Sequence, residues 1–253
     1  LEEFCFQETL KKVRKQKPSM IELGSYWAHY SMWFQKEFPD GNCFMVEPDS
    51  SRLEAGRSNF VANNFSKGQF IHSKVSNYDF RLDNFYKEKR LEEVTILHSD
   101  IQGWELEMLD GAKSFLDAQA AKYIFLSTHG QKIHEEAIKT LESYDYTIEV
   151  SSDFDNHSTS FDGFILATAP SSDRIFENFI PFGRNEILTR STDKKIEYLH
   201  IVNNGSLEKP RNIKINFRNG QVSKIDEDVH QLVVGLQNEI NFEKKQFPFF
   251  WDL

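Results

Sequence analysis

Cysteine is scarce here. Cys5 and Cys43 are the only two in 253 residues. That excludes a disulfide-stapled scaffold and fits a reducing compartment, so a cytoplasmic location is expected. No apolar run approaches the ~18 residues that a membrane helix needs, and no secretory signal is visible. Positive charge is short as well: 30 Lys and Arg stand against 39 Asp and Glu, a net charge of −9. A nucleic-acid binder should present a basic face or arm. The one basic cluster, Lys11, Lys12, Arg14, Lys15 and Lys17, has Glu2, Glu3 and Glu8 nearby and reads as a solvated helix face. Neither a membrane nor a nucleic acid is therefore an expected partner. Internal repeats and low-complexity segments are absent too.

What is abundant is aromatic residues. They make up 14% of the chain, mostly through 23 Phe, enough to fill a sizeable core and also line a pocket. The length permits one large domain, or one domain with an extension.

Residues 1–17 read as an amphipathic helix with Phe4, Leu10 and Val13 on one side, ended by Pro18. Seven β-like runs follow: Met20–Leu23, Cys43–Glu47, Gln69–Val75, Val94–His98, Tyr123–Ser127, Thr147–Val150 and Gly163–Ala167. Helical patterns lie between most of them. One begins at Ser51, with Glu54 at capping-box spacing, and runs to about Asn64. Another holds Leu106, Leu109, Ala112, Phe115 and Leu116, and a third holds Ile133, Ala137, Leu141 and Tyr144. Strands alternating with helices predict an α/β fold over residues 18–170: a Rossmann-like, doubly wound, mostly parallel seven-stranded sheet. Residues 171–253 are expected to form an α+β extension. It opens with a loop-rich stretch. A hairpin follows around Asn219-Gly220, with Phe217 opposite Val222, and then a helix carries Val229, Leu232, Val233, Leu236 and Ile240. The closing QFPFFWDL is too apolar for a free end. It should dock on the body or on a partner chain, so a homodimer through this extension is an expectation.

Ligands of open α/β sheets bind at the carboxyl ends of the strands. The first run ends in Glu22-Leu23-Gly24, and Gly24 lets the backbone turn sharply toward a ligand. The spacing E-x-G-x-x-x-A, closed by Ala28, lacks the glycines of a phosphate-cradling loop, which argues against a dinucleotide. The second run ends in Val46-Glu47-Pro48-Asp49. An acid there is placed to accept hydrogen bonds from two ribose hydroxyls, and Asp49, Ser50 and Ser51 are better helix caps than Glu47. A glycine turn, a ribose-binding acid and no phosphate loop suit a nucleoside with a non-phosphate tail. S-adenosylmethionine is such a ligand.

The fourth run leads into HSDIQGWELEMLDGA, residues 98–112. This segment resembles the D-[IV]-[EQ]-G-x-E-x-x-x-L-x-G-A stretch of the FkbM family of class I methyltransferases. Asp100, Ile101, Gln102, Gly103, Glu105, Leu109, Gly111 and Ala112 match at fixed spacing. The resemblance covers roughly residues 18–170 and leaves the last eighty or so unassigned. It implies S-adenosylmethionine as cofactor and hydroxyls of sugars or secondary metabolites as acceptors. It also puts Glu22, Gly24, Ser25 and Tyr26 in the cofactor loop, Glu47 and Pro48 at the ribose, and Asp100 and Gln102 beside the methyl donor. Ser76, after the third run, is a candidate for the adenine by position.

The chain departs from the family at Ala28, where Gly is usual, and at His98, where Lys is common. Tyr26 and Trp27 stand where small residues are usual. They either stack on the adenosine and cover its methionine end, or pack beneath the N-terminal helix. Methyl transfer to an alcohol needs positioned reactants and removal of the hydroxyl proton. Asp100 and His129, at the ends of the fourth and fifth runs, are the candidate catalytic pair, with His129 the base at neutral pH. Each has a plainer role open to it: Asp100 as a cap for the helix near Trp104, Glu105 as first-turn charge, His98 as a hydrogen-bonded core residue. His134 and His157 lack tight ligand spacing, and no metal is assigned. Two rival functions are a nicotinamide-dependent oxidoreductase on the same sheet, and an inactive binding module whose aromatic loop blocks the cofactor.

Overall fold

The structure is a computed structural model that describes residues 1–14, 17–158, 161–177, 179–204, 214–216 and 222–224. The chain divides into two units, Leu1–Asn185 and Glu186–Leu253.

The first unit opens with helix α1 (Glu2–Lys12) and strand β1 (Ser19–Leu23). Helix α2 (His29–Glu37), β2 (Asn42–Glu47), α3 (Ser50–Ala62) and β3 (Gly68–His72) follow. Then come α4 (Leu82–Glu88), β4 (Val94–Ser99), α5 (Glu105–Asp110), α6 (Lys113–Asp117) and β5 (Ala121–Thr128). Helix α7 (Gln131–Ser143), β6 (Thr147–Ser152) and β7 (Gly163–Thr168) complete it. The seven strands form one sheet in the order β3-β2-β1-β4-β5-β7-β6. All pairs from β3 to β5 are parallel, and β7 runs antiparallel between β5 and β6. Strand order reverses between β1 and β4, which makes the crevice above their carboxyl ends the expected ligand site.

The strands form where they do because both faces of the sheet are covered, so their residues read as nearly continuous apolar runs. Ile21, Leu23, Val46, Leu97, Ile124 and Leu126 are buried in one core cluster with Phe115 and Leu116 of α6. Phe6 of α1 is fully buried, with edge-on rings of Tyr30 and Phe125 at 4.9 and 5.5 Å.

Several local expectations are corrected. Helix α3 is capped by Asp49, whose side chain accepts from the amides of Ser51 and Arg52, so the Ser51–Glu54 box is not what starts it. The helix expected through Leu106 and Leu116 is two helices, broken at Gly111-Ala112. There Asp83 of α4 accepts from the amides of Ser114 and Phe115 and starts α6 separately. Val75 lies outside β3, in a single bridge to Phe80.

Helices α8 (Arg184–Thr189) and α9 (Thr192–Asn204) follow, then the antiparallel hairpin β8 (Lys214–Asn216) and β9 (Val222–Lys224). The hairpin forms where expected, but Val222 faces Asn216, not Phe217. The Asn219-Gly220 turn, the helix through Val229–Ile240 and the QFPFFWDL tail lie outside the described residues.

Candidate active site

A cavity of about 960 Å3 opens at the carboxyl ends of β1, β2 and β4. It lies near the upper end of the range for small-molecule sites. Gly24 stands in its wall. Its φ is +73°, and a Cβ there would lie 1.8 Å from the carbonyl oxygen of Asp100, so the β1 and β4 ends meet at a distance that only glycine allows. The Gly24 and Ser25 amides both donate to the Val46 carbonyl, at 2.9 and 3.1 Å.

Beyond Gly24 the loop twice adopts the left-handed region without glycine, at Tyr26 (φ 47°) and Ala28 (φ 66°). Two carboxylates hold it there. Glu47 Oε2 accepts the Tyr26 amide at 3.0 Å, while Glu47 Oε1 accepts the Asp49 amide at 3.0 Å. Glu22 Oε2 accepts the Ser31 amide at 3.1 Å and also the Ser31 hydroxyl, which ties β1 to the start of α2. Burial pushes the Glu22 carboxyl above its usual range. Ala28 is fully buried. A Cβ at Gly56 of α3 would sit 3.3 Å from the Ala28 methyl, so the larger residue in the loop is met by glycine on the helix.

Tyr26 and Trp27 do not pack beneath α1. They are 50% and 45% exposed and stand in the cavity wall, and Tyr30 and Trp33 are the aromatics of this segment that meet Phe6 of α1. The loop leaves the cavity open, which removes the physical basis for a blocked module. Across the mouth, Arg52 lies over the Tyr26 ring at 4.7 Å and Lys74 over the Trp104 ring at 3.3 Å.

Glu22, Gly24, Ser25, Tyr26, Glu47, Pro48, Asp100 and Gln102 all line this one cavity. Ser76 is not among its lining residues. Its hydroxyl accepts from the amides of Tyr78 and Asp79 and donates to Asp79 Oδ2, so it is engaged in its own turn, and Lys74 and Val75 reach the cavity instead.

Asp100 faces the cavity and does not cap α5, whose N-cap is Trp104. Its Oδ1 accepts from Gln102 Nε2 at 2.9 Å. His129 stands behind it, outside the lining. His129 Nε2 lies 3.4 Å from Asp100 Oδ1 and 3.2 Å from Asp162 Oδ1, without hydrogen-bond alignment to either, while Nδ1 is 2.7 Å from Glu105 Oε1. Burial works against a charged His129 ring, but the Glu105 hydrogen bond and the charges of Glu105, Asp162 and Asp100 outweigh it and raise its pKa.

Sequence reasoning missed Glu105 and Asp162. Glu105 lay inside the quoted motif, where it reads as first-turn charge, yet it is fully buried. His98 is a buried residue as expected, with Nε2 2.7 Å from Glu2 Oε1, and its Nδ1 is left without a partner in the cavity wall. His134 is engaged by Thr128 and Ser151, and His157 by Asp153. Among the described residues no group of His, Cys, Asp or Glu is arranged to hold a metal ion, and no helix is long and apolar enough to cross a membrane.

These residues fit S-adenosylmethionine. The bare Gly24 backbone allows close approach. The buried Ser25 hydroxyl in the wall has no protein partner. Glu47, fixed by two amides, retains lone pairs for ribose hydroxyls, and the carboxylates of Glu47 and Asp100 suit a cationic sulfonium.

Part of the chain matches a known family model. Residues 39–148 match the family model described as the methyltransferase FkbM domain. Three solved structures illustrate the resemblances. Precorrin-6y C5,15-methyltransferase from Geobacter metallireducens is 18% identical, with a TM-score of 0.47 over 66% of this chain and 87% of that one. TrmK of M. capricolum, in complex with S-adenosyl-homocysteine, is 14% identical, with a TM-score of 0.49 over 93% and 96%. Fibrillarin of Aeropyrum pernix, with natively bound S-adenosyl-L-methionine, is 16% identical, with a TM-score of 0.44 over 65% and 76%. No curated protein matches the chain. The stretch that matches the methyltransferase FkbM domain carries Glu47, the Asp100–Ala112 segment and His129 on the seven-stranded sheet.

Proposed function

We propose that this protein methylates a hydroxyl group of a small molecule, a sugar or secondary metabolite. Gly24, Ser25, Tyr26, Glu47, Pro48 and Gln102 seat the cofactor, and Glu22 fixes the loop from behind. The observation that carries the reading is Asp100, which faces the cavity at the β1–β4 crossing with the His129 ring 3.4 Å behind it. A hydroxyl acceptor needs its proton removed in the transition state, and a cavity-facing carboxylate backed by an imidazole supplies that.

S-adenosylmethionine, when bound, supplies a methyl group already activated on a sulfonium. The chain's own residues then have two tasks. The crevice holds acceptor and donor in line, which converts a bimolecular step into an effectively unimolecular one. Asp100 accepts the hydroxyl proton as the acceptor oxygen bonds the methyl carbon, and the carbon–sulfur electron pair stays on sulfur. His129 touches Asp100, not the cavity, so its role runs through Asp100.

The test is incubation with S-adenosylmethionine and a panel of hydroxylated sugars and natural products, read by mass spectrometry. An O-methylated product formed together with S-adenosylhomocysteine supports the reading. Methylation confined to amines or thiols contradicts it.

A further inference from the structure

Glu105, the first residue of α5, has a fully buried side chain. Its Oε1 accepts from the Gly103 amide at 3.0 Å and lies 2.7 Å from His129 Nδ1, while its Oε2 is buried without a partner. A buried carboxylate is tolerated only when paired, and the pairing with His129 fixes that ring: Nδ1–H points at Glu105, and Nε2 is turned to the other side. There it meets two carboxylates at once, Asp162 at 3.2 Å and Asp100 at 3.4 Å.

Asp162 arrives by strand register. Strand β7 pairs with β5 so that Gly163 faces Thr128, and the next residues outward are Asp162 and His129. The approach needs glycine, because a Cβ at Gly163 would lie 2.5 Å from Thr128 Oγ1 and 3.0 Å from His134 Nδ1. Three carboxylates from three different segments thus converge on one imidazole, two of them sharing a single ring nitrogen.

Building on the hydroxyl-methylation reading, we propose that Glu105 and Asp162 are positioning residues of the acceptor-side machinery. Glu105 locks the His129 ring, and Asp162 faces its Nε2 beside Asp100, as a charge neighbour at 3.2 Å. Before transfer, the imidazolium Nε2–H balances the Asp100 carboxylate. The acceptor's O–H bond breaks and its proton goes to Asp100, which becomes a neutral carboxyl. The Nε2–H, never leaving its nitrogen, then pairs with the Asp162 carboxylate. Asp100 is 37% exposed at its side chain and returns the proton to water. The charged groups facing His129 are Glu105 at the start of α5, Asp100 at the end of β4 and Asp162 before β7, and Glu2 of α1 adds to the field at Asp162.

The test has two readouts. The first needs no acceptor: NMR titration of the His129 ring in the full-length protein, assigned by its loss in His129→Gln. It is run on wild type, Glu105→Gln and Asp162→Asn. The wild-type ring should titrate above the ordinary value of about 6.5, and each variant should lower it. Asp162 is 39% exposed at its side chain, so its replacement is not expected to prevent folding, and it keeps the test open should the Glu105 variant not fold. The second is the pH–rate profile. Asp162→Asn should cut kcat by about tenfold or more, move the limb set by His129 to lower pH, and leave the KM for S-adenosylmethionine within about twofold. Asp162→Glu should recover part of kcat. A His129 titration unchanged by the variants overturns the network, whatever the acceptor proves to be. An altered titration in a protein that methylates no hydroxyl leaves the network standing and removes the function it was built on. An Asp162→Asn enzyme with wild-type kcat and pH profile overturns the catalytic part.

Discussion

The carboxylate of Glu47 holds the backbone of Tyr26: its Oε2 accepts the Tyr26 amide at 3.0 Å, across the gap between the first and second strands. One side chain thereby fixes a left-handed loop residue and presents its remaining lone pairs to the cavity. Glu47→Ala should weaken S-adenosylmethionine binding by about 1–3 kcal/mol, the range for losing a charged hydrogen-bond partner, measured by calorimetric titration. Unchanged affinity would take Glu47 out of the ribose role.

Gly24→Ala should be more damaging than its size suggests. The new Cβ would fall 1.8 Å from the Asp100 carbonyl oxygen, a backbone atom that cannot swing away. The β1 and β4 ends must part, at a cost of roughly 1–3 kcal/mol by analogy with overpacked cores, and the cofactor crevice is distorted with them. Urea denaturation and cofactor titration of the variant should both show the loss. Wild-type stability in the variant would mean that the two strand ends do not meet as described.

The seven strands were legible because a sheet covered on both faces writes its strands as short apolar runs. The acids at the strand ends were legible for the same reason: Glu22, Glu47 and Asp100 interrupt or close such runs where a polar side chain has no packing role. Helix α2 was not. Its HYSMWFQKE mixes aromatic and polar residues, and its start is held by the Glu22–Ser31 bonds instead of by a cap in its own sequence. Glu105 was hidden because an acid in a helix's first turn reads as solvent-facing charge. Only the fold, which brings His129 from just past the end of β5 to within 2.7 Å of it, makes it a buried partner of that ring. Asp162 depended on an antiparallel strand pairing that no local pattern specifies. The place of His129 behind Asp100, instead of in the cavity wall, is a matter of depth, which strand-end reasoning cannot supply.

His129 gives a pH prediction with a definite sign. Its folded-state pKa is raised: burial opposes the charge, but Glu105, Asp162 and Asp100 prevail. A raised histidine contributes stability that is fully present below its unfolded value of about 6.5 and is lost as pH rises through the folded value. The stability difference between wild type and His129→Gln should therefore be largest in mild acid and shrink above neutrality, read from urea midpoints across pH. A difference that grows with pH would reverse the assignment. In the same assay series, His129→Ala should slow transfer by roughly 10²-fold while leaving cofactor binding intact.

Helix α1 is tied to the site through Phe6, which is fully buried against Tyr30, Trp33 and Phe125. Phe6→Ala should cost about 3–5 kcal/mol. It should also loosen the contact of Glu2 with His98, 2.7 Å in the intact protein, visible as faster amide exchange at the start of α1. A loss below about 1 kcal/mol would mean that α1 is not part of the core.

The most direct test of the account is thermal unfolding of the protein with excess S-adenosylmethionine, S-adenosylhomocysteine or NADH. A ligand at about 100 times its dissociation constant adds roughly 2.7 kcal/mol, which for a chain of this size is on the order of 5–10 °C. The account predicts a rise of that order with the first two ligands and none with NADH. A rise with NADH alone, or no rise with any of the three, would contradict the assignment of the Gly24–Glu47 crevice to the methyl donor.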